Sequence, residues 1–172
     1  MGYLEKIILQ EDTRNISKLK EFLHENFLDE AAKKISTKRG KVFIVTGFFI
    51  SYANSPETDG PPGALAIGNA LKQLGFEIIY ITDKWSYSMM KGLLYAEDTL
   101  INFPVTSHEE SDSFSKKLIE KYSPSIVISI ERASLVEDGT YRNWKQEDVS
   151  EYNAKIDYLF KPSLYSIGIG DG

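Results

Sequence analysis

The stretch Lys41–Asp83, KVFIVTGFFISYANSPETDGPPGALAIGNALKQLGFEIIYITD, decides the fold. Val42–Thr46 is a short apolar, β-branched run stopped by Gly47, as a strand buried on both faces requires. Phe76–Thr82 is a second such run, with Gly75 just before it. Between them Ala64, Leu65, Ile67, Ala70, Leu71 and Leu74 recur at helical spacing, so one face of a helix packs on the sheet. Pro61 and Pro62 suit its first turn, where a missing N–H costs nothing, and Gly75 suits its C-terminal cap. Such a strand–helix–strand unit is parallel and right-handed. The loop after the first strand therefore opens at the carboxyl edge of a parallel sheet, where ligands bind.

Working outward, 172 residues suffice for one α/β domain with a real core. A net charge of −5 argues against nucleic acid or an anionic membrane as the main partner, because both demand basic surface. The absence of cysteine excludes disulfides and thiolate zinc sites. No apolar run approaches membrane-spanning length and the N-terminus lacks a signal-peptide pattern, so the expected location is cytoplasmic.

Upstream, Leu4–Gln10 and Ser17–Ser36 read as two helices hinged around Glu11–Asn15, the second with a stripe of Leu19, Phe22, Leu23, Phe27, Leu28, Ala31, Ala32 and Ile35. Downstream, Tyr87–Glu97 reads as a short helix with Met89, Met90, Leu93 and Leu94 inward. Leu100–Val105 reads as a strand that Pro104 places at an edge. Ser107 and Glu110 have capping-box spacing, opening a helix to about Tyr122 that buries Phe114, Leu118 and Ile119. Ser125–Ile130 is a buried strand, Ala133–Glu151 a long functional or mobile loop, Asn153–Phe160 an amphipathic helix and Leu164–Ile169 a last strand. The expected architecture is α/β: a single three-layer, Rossmann-like domain with a mostly parallel sheet over 41–172 and a helical segment over 1–40.

Parallel strands would bring Thr46-Gly47, Thr82-Asp83, Glu131-Arg132 and Gly170-Asp171-Gly172 to one edge, beside the Thr58–Gly63 loop. Free N–H groups at that helix start, with the positive end of the dipole, would favour a carboxylate or phosphate, and Gly60 and Gly63 would allow close approach. Asp59 is equally suited to capping the helix. Glu131-Arg132 at a strand mouth is costly to place without purpose, although a structural pairing is open to it. No Walker lysine follows the loop, so a nucleoside triphosphatase is not expected. Trp85, Tyr141 and Trp144 read as packing residues. His24 and His108 read as solvated helix positions.

In order and spacing, VTGFFI, PETDGPPGALAIGNAL, ITD, ISIER, DGTYRNW and SIGIGDG resemble the D-glutamate cyclase-like C-terminal domain family. LEKIILQEDTRNISKL, with Arg14, resembles that family's opening segment. The resemblance implies a hydro-lyase that closes D-glutamate, or a related small acidic amino acid, to a lactam such as 5-oxo-D-proline and water. In the family the glycine-rich segment runs on past the position of Gly172, which implies a truncated or naturally short form with an incomplete site. Ala133-Ser134 is a mild departure from the family pattern.

Lactam closure needs a proton removed from the amine, an oxyanion held and a proton given to the leaving oxygen. Glu131 and Asp83 are the expected acid–base pair, with Asp138 as substitute. Arg132 is expected to clamp one substrate carboxylate, Thr58, Asp59, Gly60 and Gly63 to receive the other, Asn143 to orient the amine or oxyanion, and Asp171 to line the site. The sequence requires no cofactor, but Asp83, Glu131, Asp138 and Asp171 form an alternative set for Mg²⁺ or Mn²⁺. The rival readings are a non-catalytic or inactive binding domain for an acidic metabolite or nucleotide, and transfer chemistry on a phosphorylated ligand.

Overall fold

The computed structural model describes residues 2–10 and 16–170, and the chain divides at Arg39/Gly40 into two compact units. In the first unit, α1 (Tyr3–Ile8) is followed by a 3₁₀ segment (Ile16–Phe22) and α2 (Phe27–Ser36). The helix expected over Ser17–Ser36 is thus broken at Leu23–Asn26. The buried carboxylate of Glu5 explains where helix resumes: its Oε1 accepts the N–H of Leu28 at 3.0 Å. That N–H lies in the first turn of α2 and has no partner within the helix, so an anion from another segment caps it. Leu19, Phe22 and Leu23 of the apolar stripe remain exposed. The expected hinge and Arg14 lie outside the described residues.

In the second unit, β1 (Lys41–Thr46), β4 (Glu77–Asp83), β5 (Thr99–Phe103), β6 (Ile126–Ile130) and β7 (Tyr165–Ile169) form one sheet in the order β5-β4-β1-β6-β7. Every pairing is parallel. A two-stranded hairpin, β2 (Phe49–Ile50) with β3 (Ser55–Pro56), projects after β1. The central strands are buried along nearly their whole length, as their continuous apolar runs demand. Phe43, Val45, Ile79, Ile81 and Val127 face a core completed by Leu118 of α5 (His108–Tyr122) and by Ala154, Ile156 and Leu159. Helix α3 (Gly60–Gln73) covers the opposite face, where Gly68 lies against Tyr80. The result is the expected three-layer α/β arrangement, with β5 at an edge.

Local signals account for the element ends. Pro61 and Pro62 occupy the first turn of α3, and Gly75 follows its end with φ +85°. Both bonds of the Ser107–Glu110 capping box are present. Helix α4 (Tyr87–Leu93) buries Met90 but leaves Leu93 exposed, so only part of its expected inward face is used. Residues 153–160 hold only a short 3₁₀ turn, Ile156–Leu159, because this segment packs as an irregular cover on the sheet rather than as a helix. Among the described residues, no helix is long and apolar enough to cross a membrane.

Candidate functional site

Strand order reverses between β1 and β6: the chain leaves β1 toward β4 and β5, then returns to the other side for β6 and β7. Connections at such a switch point run off in opposite directions and leave a crevice at the carboxyl ends of the two strands. The residues there are Thr46-Gly47 and Glu131-Arg132.

The start of α3 descends directly onto this crevice. A β-carbon on Gly60 would lie 2.5 Å from Thr46 Oγ1 and 3.1 Å from Glu131 Cβ, so only glycine allows the approach. Glu131 itself has φ +43°, a left-handed backbone that a non-glycine residue adopts at an energetic cost. This turns its carboxylate across the end of β7, where a side chain on Gly170 would meet Glu131 Oε2 at 3.9 Å. Thr46, Gly60, Glu131 and Gly170 therefore meet at one point.

A second group meets one strand over. Arg132 Nη1 donates to the Gly47 carbonyl at 2.8 Å and to Asp83 Oδ2 at 3.0 Å, while Nη2 donates to the Ala154 carbonyl at 2.6 Å. Asp83 Oδ1 accepts the Trp85 N–H at 3.1 Å. The two side chains are 3% and 2% exposed, so this is an ion pair inside the protein. Gly47, at φ +119°, allows the close packing: a β-carbon there would lie 2.7 Å from Thr82 Oγ1 and 2.8 Å from Ser86 Oγ. Thr46 Oγ1, Ser86 Oγ and Arg132 Nε are buried without a hydrogen-bond partner. Sequence reading placed Thr46-Gly47 at the edge but gave Thr46 no role, and it missed Ser86 and the Ala154 carbonyl. Thr46 was findable as a polar side chain closing a buried strand.

The expected ring of free N–H groups at α3 is not there. Gly60 N donates to Asp59 Oδ1 at 2.7 Å, Pro61 and Pro62 have no N–H, and Gly63 N donates to the Asp59 carbonyl. Asp59 acts as the cap, and the helix tip offers its dipole but no uncommitted donor between Gly60 and Gly63. Thr58 and Asp59 are exposed at that tip.

The remaining candidates belong to the 133–152 segment. Asp138 accepts from Thr140 and Arg142, and Asn143 bonds Glu147 and the Lys145 N–H, each within its own turn. Neither joins the group around Glu131 in any of these bonds. The segment is ordered from within: Tyr141 is fully buried and its hydroxyl donates to Asp157 Oδ2 at 2.5 Å. Burial first, then the Asp157 carboxylate, pushes the Tyr141 hydroxyl pKa well up. His108 also corrects an expectation: rather than being solvated, its ring nitrogens bond Tyr158 Oη and the Gly139 carbonyl. Trp85 packs with Phe49 and Tyr152, whereas Trp144 is exposed. Asp171 lies outside the described residues. Among the described residues no three acidic or histidine side chains converge as metal ligands, and Asp83 is paired with Arg132.

A parallel α/β unit with an acidic residue displayed at its switch point defines the class of protein. Within that class, the family model described as D-glutamate cyclase-like, C-terminal, matches residues 4–172, and the chain belongs to that family. Human mitochondrial D-glutamate cyclase is 30% identical over 149 residues, which cover 76% of this chain and 24% of that protein. The chain thus spans about a quarter of the length of the curated relative it matches.

Proposed function

We propose that this chain carries the site of a hydro-lyase that closes D-glutamate, or a close acidic analogue, to 5-oxo-D-proline and water. The observation that carries the reading is Glu131, turned out of the sheet by a left-handed backbone at the switch point and packed against Gly60 and Gly170. A relative bearing the name D-glutamate cyclase supports the same chemistry.

In this reading the amine nitrogen attacks the γ-carboxyl carbon, the C–N bond forms and a C–O bond breaks. The ammonium nitrogen gives up two protons to Glu131 one after the other, the first before attack and the second after it. Glu131 passes both to the departing γ-carboxylate oxygen, which leaves as water. One carboxyl serves both steps, because Asp83 has its oxygens turned to Arg132 and Trp85. The dipole of α3 supplies positive potential beside the reacting carboxylate.

Incubation with D-glutamate, with and without added Mn²⁺, is expected to yield 5-oxoproline. Glu131→Gln is expected to lower kcat by about 10²- to 10⁴-fold. Saturable binding of D-glutamate without any product would support the binding-domain alternative instead.

A further inference from the structure

We infer that Arg132 and Asp83 form a positioning pair that aims Glu131, rather than a substrate clamp and an acid–base catalyst. The inference rests on the reading of Glu131 as the proton-transferring group. The guanidinium ties together three segments that are remote in sequence: the Gly47 carbonyl after β1, the Asp83 carboxylate ending β4 and the Ala154 carbonyl of the cover. Asp83 is fixed in turn by the Trp85 N–H at the start of the β4–α4 turn. With its side chain 3% exposed, Arg132 cannot also be the open fork that a substrate carboxylate would need. Its backbone, by contrast, is the direct continuation of Glu131. Pulling the Arg132 side chain inward between β1 and β4 requires the preceding residue to turn sharply, and Glu131 does so at φ +43°. The energy that holds an unfavourable backbone must come from surrounding contacts, and the three-way guanidinium anchor is directly adjacent to it. A planar, multi-donor cation is suited to this task; an ammonium on a flexible stem is not.

Arg132→Lys tests this while keeping the charge that pairs with Asp83. The expected result is a fall in kcat of about 100-fold, the scale of a misplaced catalytic group, with KM changed by less than about threefold. A large rise in KM with kcat preserved would make Arg132 a substrate clamp and overturn the inference. Asp83→Asn is the second variant. It is expected to retain both limbs of the pH–rate profile at reduced kcat, whereas loss of one limb would make Asp83 the acid–base group. A readout independent of turnover keeps this separate from the proposed function. In a crystal structure of Arg132→Lys, Glu131 is expected to leave the left-handed region and its carboxylate to move away from Gly170. An unchanged Glu131 would sink the positioning role, whereas a wild-type chain that makes no 5-oxoproline would sink only the reaction.

Discussion

Two arginines that follow β6 each pair with an aspartate, and the two pairs differ in nearly everything but chemistry. Arg132–Asp83 joins residues 49 apart in sequence, with side chains 3% and 2% exposed. Arg142–Asp138 joins residues four apart, at 2.7 Å, with side chains 35% and 52% exposed. The shorter contact belongs to the pair with less to hold. At the surface, water solvates both ions whether or not they touch, so contact alters little. In the interior each ion needs the other, because the Gly47 and Ala154 carbonyls and the Trp85 N–H replace only part of the lost hydration and none of the opposite charge. Distance alone would rank the pairs wrongly; burial and the number of segments tied together rank them correctly.

The largest effect that would break this ranking comes from the interior pair. Asp83→Asn strands the Arg132 charge and is expected to cost about 3–5 kcal/mol in denaturant unfolding, whereas the double replacement Asp83→Leu with Arg132→Met is expected to regain most of that loss. A single variant as stable as wild type would show that the guanidinium finds other partners. Between the two pairs in magnitude stands the Tyr141–Asp157 contact, a neutral donor on a charged acceptor that anchors the 133–152 segment. Tyr141→Phe is expected to cost about 2 kcal/mol, within the range for hydrogen bonds to charged groups. Protease nicking in residues 133–152 is expected to rise with it.

The same contrast explains what was legible in the sequence. Patterns confined to a few neighbouring residues carried through: the buried strands, the Pro61-Pro62 helix start, Gly75 and the Ser107–Glu110 capping box. The carboxyl-edge gathering of Thr46, Glu131 and Gly60 followed from strand polarity, because parallel strands with a right-handed crossover leave little freedom. Most of what failed depended on a distant partner. The helix over Ser17–Ser36 broke where Glu5 capped Leu28, and the 153–160 helix gave way to packing on the sheet. The N–H groups of α3 were lost to its own prolines and to Asp59, all of which lie within the same few residues of sequence. The inward turn of Arg132 had no local signal, since its three acceptors come from three other segments.

The smallest expected effect lies at the exposed pair and sharpens the comparison through its dependence on salt and pH. Hydrogen bonds from Thr140, then Arg142, hold the Asp138 carboxyl down at about 2, from an ordinary value of 3.8. A folded-state pKa below the unfolded one adds stability above the unfolded value, and that stability is lost as pH falls through the folded value. Asp138→Asn is therefore expected to melt slightly below wild type at neutral pH, with the gap closing between about pH 4 and pH 2. High salt is expected to narrow the gap by screening Arg142, while the Thr140 bonds persist. The Asp83→Asn deficit, measured in the same buffers, is expected to be nearly independent of salt, because ions do not reach a buried pair. Thermal melts of both variants across salt and pH decide the matter. Equal salt sensitivity would mean that the two pairs sit in the same electrostatic environment, and the interior anchor at the candidate site would lose its basis.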